Sequence, residues 1–280
     1  MIIDTHVHYT QSATPDRPYL HPRGSVWPIS VDDLLVQSGA CAVNQVVQVT
    51  ASCMGYDNRY SFEGAYSRPD EVFGVVGRLD PFGPDLQARI ERFMEQPKAI
   101  GIRQTLHHDW ASHWLQEGRL DLFFSEAEKL NIPVFIYAPD QAEQLIGVAQ
   151  RYPGMRLVVD HTCLQHKAQS IQGVFAHWPN VIKLAQLPNV WMKVSYFPEA
   201  AAQFEQYPFL TSQQRFQELY ESIGAQRMVW GSNFTPLTEL CSYANALNFM
   251  KVECKFLSPL DRLAVLGGNF SRDFKPSRVY

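Results

Sequence analysis

PVFIYAPDQAEQLIGVAQRYPGMRLVVDH (133–161) holds the unit from which the chain is built. Two short apolar, β-branched runs, PVFIYA (133–138) and RLVVDH (156–161), flank QAEQLIGVAQRY (141–152). Apolar residues in the middle segment recur at steps of three and four, as a helix requires, while the flanking runs have the length and composition of buried strands. Pro153 and Gly154 break the helix before the second strand. Outward from this strand–helix–strand unit the same alternation repeats. Further strands are expected at IIDTHV (2–7), NQVVQV (44–49), VFGVVGRL (72–79), AIGIRQTL (99–106), VWMKVS (190–195) and RMVWGS (227–232). Helical spacing recurs at 84–96, 120–131 and 212–224. Eight strands alternating with helices imply an α/β chain folded as a (β/α)8, or TIM, barrel rather than a two-sheet sandwich. No Ser/Gly-rich linker, repeat or low-complexity run divides the chain, so a single domain over 1–280 is expected.

Composition narrows the function classes. Lys plus Arg number 24 against 28 Asp plus Glu, a net charge of −4, which argues against nucleic acid or an anionic membrane as partner. Runs such as VVQV (46–49) are far too short to span a bilayer, and MIIDTHVH (1–8) has no signal-peptide character. Five cysteines without a C-x-x-C fit a reduced, cytoplasmic protein. A small-molecule substrate is expected, and a homo-oligomer is compatible with everything above.

In a barrel of this kind the chemistry sits at the carboxyl ends of the strands. His6 and His8 lie two apart at the end of the first strand, so both rings face the same way. His161 ends the sixth strand and Asn233 follows the eighth, which places both on the same rim. Long connections at 9–30 and 107–118 open on this face and offer Trp27, Trp110 and Trp114 as walls or lids. Cys163 has no activating arrangement, and Lys193 and Ser195 are read as structural.

The motifs DTHVH (4–8), NRY (58–60), GIRQTL (101–106), VVDHTCL (158–164), PNVWMKVS (188–195), RMVWGSNF (227–234) and LGGNFSRDF (266–274) occur in this order over nearly the whole chain. Together they resemble the amidohydrolase superfamily, amidohydrolase-related family 2. The resembling branch contains 2-pyrone-4,6-dicarboxylate lactonase and the sugar lactonases. The resemblance implies that His6, His8 and His161 are the family's histidines. Arg103 then stands where metal-dependent relatives carry a carboxylated lysine or glutamate, and Tyr137 where many place a further histidine. Both substitutions imply a site that works without a required metal; the alternative is one Zn or Mn ion on His6, His8 and His161. Asn233 stands where the family has the aspartate that takes a proton from the attacking water.

These residues suit opening of a small, carboxylated lactone by water. Imidazoles and the Arg103 guanidinium would hold the carbonyl oxygen, and Arg59, Arg78 and Arg103 would fork a substrate carboxylate, unless Arg59 and Arg78 are structural ion pairs with neighbours such as Asp57 or Asp80. Trp27, Trp110, Phe197 and Phe234 would flank a planar ligand. The Asn233 amide has no useful basicity, so either the chain is an Asp-to-Asn inactivated form or the reaction uses another base or a very good leaving group. Restoring aspartate at 233 is expected to raise turnover by at least about 10²-fold. Two other readings stand beside this one: a metal-dependent, non-oxidative decarboxylase of an aromatic or muconate-type acid, and a non-catalytic ligand-binding relative.

Overall fold

The first strand pairs with the second, the second with the third, and so on without a crossover, all in parallel. A computed structural model describes residues 1–20, 28–165 and 167–277. Its strands are β1 (Ile3–Val7), β2 (Gln45–Val49), β3 (Val72–Arg78), β4 (Ala99–Thr105), β5 (Val134–Tyr137), β6 (Leu157–Val159), β7 (Val190–Lys193) and β8 (Met228–Val229), one sheet in sequence order. Backbone bonds from Thr5 N to Trp230 O (3.1 Å) and from Asn233 N to His6 O (2.9 Å) bring the chain beyond β8 back onto β1. The fold is therefore the expected (β/α)8 barrel.

Helices α1 (Val31–Ala40), α2 (Arg59–Ser67), α3 (Leu86–Met94), α4 (Asp121–Lys129) and α5 (Ala142–Arg151) each follow the strand of the same number. Then come α6 (Ile171–Val174), α7 (Trp178–Ala185), α8 (Phe197–Ala201) and α9 (Leu210–Ile223). Local chemistry explains their bounds. Ser30 caps α1 by accepting from Asp33 N, with Asp32 and Asp33 against the positive end of the helix dipole. In α5 the buried residues are Ala142, Leu145, Val148 and Ala149, the face that the spacing assigns to the core.

Inside the barrel, side chains alternate in and out along each strand. Ile3, Val47, Val49, Val76, Phe135, Val158 and Val229 form an apolar floor, closed by Phe270 and Phe274 from near the carboxyl terminus. Phe274 packs on Phe135 and Trp191 at 5.8 and 5.9 Å. Two residues further along the same inward faces come Tyr137, Asp160 and Lys193. Arg103 lies beside Phe135 in register, and Arg78 beside Arg103. The floor is apolar, and the layer above it is charged.

Three strands end two or three residues earlier than the sequence suggests. RLVVDH yields only Leu157–Val159, VWMKVS only Val190–Lys193, and RMVWGS only Met228–Val229. His161, Thr162 and Cys163 take φ of 57°, 51° and 56°, Tyr196 72° and Asn233 61°. Such left-handed conformers cost roughly 1–3 kcal/mol each for residues other than glycine, and persist only where the surroundings hold them. They turn the chain sharply at the rim, so His161 and Asn233 sit on turns past the strands rather than on strand ends.

Candidate active site

His6 and His8 face each other, with their Nε2 atoms 3.2 Å apart. The His6 ring lies 4.6 Å from that of His161, whose edge meets the Tyr137 ring at 4.9 Å. All three histidines are buried. His8 Nδ1 is 2.6 Å from the Val49 carbonyl, which can only accept, so this nitrogen carries the proton and Nε2 the lone pair. His6 then donates from Nε2, leaving its Nδ1 to accept from Lys193 Nζ at 3.2 Å. The result is a directional chain from Lys193 through His6 and His8 to Val49. His161 is oriented separately, by Ser195 Oγ 2.8 Å from its Nδ1.

Beneath the imidazoles lies a buried ionic cluster. Asp160 binds Arg103 Nε at 2.7 Å and Lys193 Nζ at 3.0 Å, and Lys193 also rests over the Phe135 ring at 4.7 Å. Burial pushes the Asp160 carboxyl up, but Lys193 and Arg103 outweigh it and hold the group well below the usual range. Burial, reinforced by Lys193, keeps His6 neutral; burial reinforced by Arg103 pushes His8 down to about 3. Burial also lowers His161, with Asp160 opposing, and raises the Tyr137 phenol well above its ordinary value. Near neutral pH the site presents three neutral imidazoles backed by fixed cations.

Gly231 and Asp4 explain how β1 and the turn after β8 can lie so close. A Cβ on Gly231 would stand 2.7 Å from His6 Cβ. Asp4 accepts from Ser232 N (2.8 Å), His6 N (3.1 Å) and Tyr243 Oη (2.7 Å), tying the WGSN turn to the strand that carries the histidine pair.

Not every residue singled out in the sequence belongs to this cluster. His6, His8, His161, Arg103 and Tyr137 come together, and Asn233 reaches His6 through its backbone. Arg78 stands beside Arg103, buried and bonded to Gly55 O (2.9 Å) and Thr105 Oγ1 (2.7 Å). Burial, with Arg103 adding, pushes it down to about 10. Arg59 does not join: it is more than half exposed and gripped by Asp57 at 2.6 Å, so the three-arginine fork is reduced to Arg78 and Arg103. Phe234 packs edge-on against Tyr243 at 5.4 Å. Trp110 lies further out, stacked on His108 (5.5 Å), which touches His107 (3.9 Å) and through it Tyr137 (5.2 Å). Phe197 is fully buried among Phe175, Trp178 and Phe216 and does not flank a mouth. Trp27 lies outside the described residues. Burial raises the Cys163 thiol, which leaves it no nucleophile.

Four residues escaped the sequence reading in whole or part. Asp160 and Lys193 were legible by parity, two places beyond inward Val158 and Trp191. Tyr196, whose ring meets His161 at 5.4 Å, and Glu199, whose Oε2 accepts from Asn233 Nδ2 at 2.8 Å, come from the turn after β7 and the short helix α8 that follows it, and have no signal in strand periodicity.

Two imidazole nitrogens 3.2 Å apart would also suit bonds of about 2.1 Å to one Zn or Mn ion. The surroundings do not suit one. Lys193 faces the other nitrogen of His6, Arg103 adds a second buried cation beside it, and Asp160 is shared between the two. Among the described residues no group of three or more His, Cys, Asp or Glu is disposed to hold a metal ion. A divalent cation would meet neutral donors and positive neighbours, which is a poor fit.

The sequence profile of the amidohydrolase family matches residues 3–271. This chain belongs to the amidohydrolase family. Within it the chain is related to the 2-pyrone-4,6-dicarboxylate and sugar lactonase branches. It is 30% identical over 296 residues to the L-fucono-1,5-lactonase of Burkholderia ambifaria, an alignment covering 98% of this chain and 97% of that one. Its fold is similar to an amidohydrolase from Burkholderia multivorans with bound zinc, at a TM-score of 0.81 and 21% identity over 97% of this chain and 98% of that one. It is also similar to a probable 2-pyrone-4,6-dicarboxylic acid hydrolase from Acinetobacter baumannii with citric acid bound, at 0.74 and 20% over 97% and 98%. General hydrolase chemistry is what this membership carries. No helix among the described residues is long and apolar enough to cross a membrane.

Proposed function

We propose that the protein opens a small lactone of the sugar-acid type by attack of water at the imidazole cluster, without a required metal. The observation that carries this reading is the convergence of neutral His6, His8 and His161 beside Arg103, in a chain 30% identical along its length to an L-fucono-1,5-lactonase.

A lactone carbonyl becomes an oxyanion when water adds, and catalysis requires donors waiting where that charge develops. With Ser195 Oγ donating to its Nδ1, His161 keeps an Nε2–H for that oxygen, beside the Arg103 guanidinium. Arg78 and Arg103 lie side by side with a shared positive field, suited to a carboxylate or to the polarised oxygens of a hydroxylated ring. Tyr137, kept protonated, remains a hydrogen-bond donor.

The test is a panel. Purified protein is offered L-fucono-1,5-lactone, other aldonolactones, a pyrone dicarboxylate and aromatic carboxylates, with proton release and carbon dioxide release recorded separately. Proton release from a lactone above its spontaneous opening is expected. Carbon dioxide from an aromatic acid would replace this reading with the decarboxylase one, and tight binding without turnover with a ligand-binding role.

A further inference from the structure

Asn233 leaves the eighth strand without a base, yet a carboxylate lies against it. Asn233 Nδ2 donates to Glu199 Oε2 at 2.8 Å, and both residues are buried, 6% and 4% exposed. We propose that Glu199 is the general base of this enzyme, supplying from the seventh β/α unit the carboxylate that the eighth lacks. This rests on the lactone-hydrolysis reading above.

The local fold holds Glu199 in place. Tyr196 reverses the chain after β7 with φ 72° and lays its ring on His161. The next residue, Phe197, is locked among Phe175, Trp178, Phe216 and Phe249, which fixes the short helix α8 that bears Glu199. Position 199 therefore looks from the turn after β7 toward the turn after β8, on the rim where His161 sits. The negative charge of Glu199 is also felt at the phenols of Tyr137 and Tyr196, both ring neighbours of His161, adding to the burial that raises them.

Asn233 then has a role that aspartate could not fill. Its amide is two-ended: Nδ2 holds the glutamate, and Oδ1 is an acceptor that can turn a water proton toward the site. An aspartate there would set two carboxylates about as close as hydrogen-bonded atoms, and they would repel or share a proton.

Water oxygen bonds to the lactone carbonyl carbon while one water proton passes to the Glu199 carboxylate. The carbonyl π pair moves onto its oxygen, which the His161 Nε2–H and the Arg103 guanidinium receive. The pair then returns, the ring C–O bond breaks, and the leaving oxygen takes the proton back from Glu199. One water is consumed, one hydroxy acid forms, and the carboxylate is regenerated.

The experiment compares wild type, Glu199→Gln, Glu199→Asp and Asn233→Asp on L-fucono-1,5-lactone across pH, with unfolding midpoints recorded. Glu199→Gln, nearly isosteric, is expected to lower kcat about 10²–10⁴-fold, with KM within about threefold, and to lose the ascending limb of the pH–rate profile. Glu199→Asp keeps the limb at reduced kcat, and provides the readout if the glutamine form does not fold. Asn233→Asp is expected to lower activity, against the gain that the sequence alone suggests. A folded Glu199→Gln with wild-type kcat, or a gain of 10² or more in Asn233→Asp, overturns the base while leaving lactone hydrolysis intact. A wild type that opens no lactone overturns both.

Discussion

The two sides of the barrel mouth deliver their side chains by different means. On the side of β1 to β5, His6, Arg78, Arg103 and Tyr137 stand on strands, each aimed by strict alternation. On the side of β6 to β8 the strands shrink to three, four and two residues. There His161, Tyr196 and Asn233 are aimed by left-handed turns. Strand delivery is rigid but offers one direction per residue. Turn delivery can face a neighbouring unit, as Ser195 faces His161 and Glu199 faces Asn233, but it depends on packing to hold strained backbone. Asp160 joins the halves, reaching Arg103 on one side and Lys193 on the other.

The largest effect is expected where the halves are tied. Asp160→Asn leaves Arg103 and Lys193 buried with no counter-charge, and breaking a buried ion pair costs about 3–5 kcal/mol. Denaturant unfolding should register a loss of that order. A loss under about 1 kcal/mol would mean that the cluster is not what joins the two sides.

The turn side is next. Gly231→Ala forces a methyl against His6 Cβ, and overpacking of this kind costs about 1–3 kcal/mol. The variant should lose activity more than stability, because the displaced residue is a histidine of the cluster. Full activity in a folded Gly231→Ala would show that the turn side has slack.

The strand side can be probed by proton linkage. An unfolded histidine takes up a proton below about pH 6.5, whereas buried His8 stays neutral down to about 3. Stability should therefore fall with pH through this window, by about 1.4 kcal/mol per pH unit for each such ring. Between pH 6.5 and 4.5, above the range where Asp160 titrates, His8→Gln should show a slope smaller by about one proton. Equal slopes would mean that His8 is charged in the fold.

The smallest effect is expected outside the cluster. Arg59→Ala removes an exposed ion pair with Asp57 and should leave kcat/KM and the unfolding midpoint unchanged. A raised KM would return Arg59 to the substrate.

The same division explains what the sequence discloses. The eight strands and the helices within 84–96, 120–131, 141–152 and 212–224 follow from periodicity, since both report which face is buried. His6, His8 and Arg103 follow from position on a strand. His161 and Asn233 were found by residue type and motif, but their backbone was not, because left-handed turns of His, Thr, Cys and Asn leave no glycine or proline mark. Glu199 is invisible for a further reason: its role depends on a contact across 34 positions between a short helix and a turn. For Arg59 the sequence leaves a substrate role and an ion pair with Asp57 both open, and the structure shows the ion pair.

The central claim is that this rim opens a lactone by its own side chains. The direct measurement is steady-state proton release from L-fucono-1,5-lactone by protein first stripped with chelator, with metal content determined by elemental analysis. Turnover well above the spontaneous rate, with less than about half an equivalent of Zn or Mn, is the expected result. No release above background, or activity that appears only when Zn or Mn is restored to a full equivalent, would contradict it.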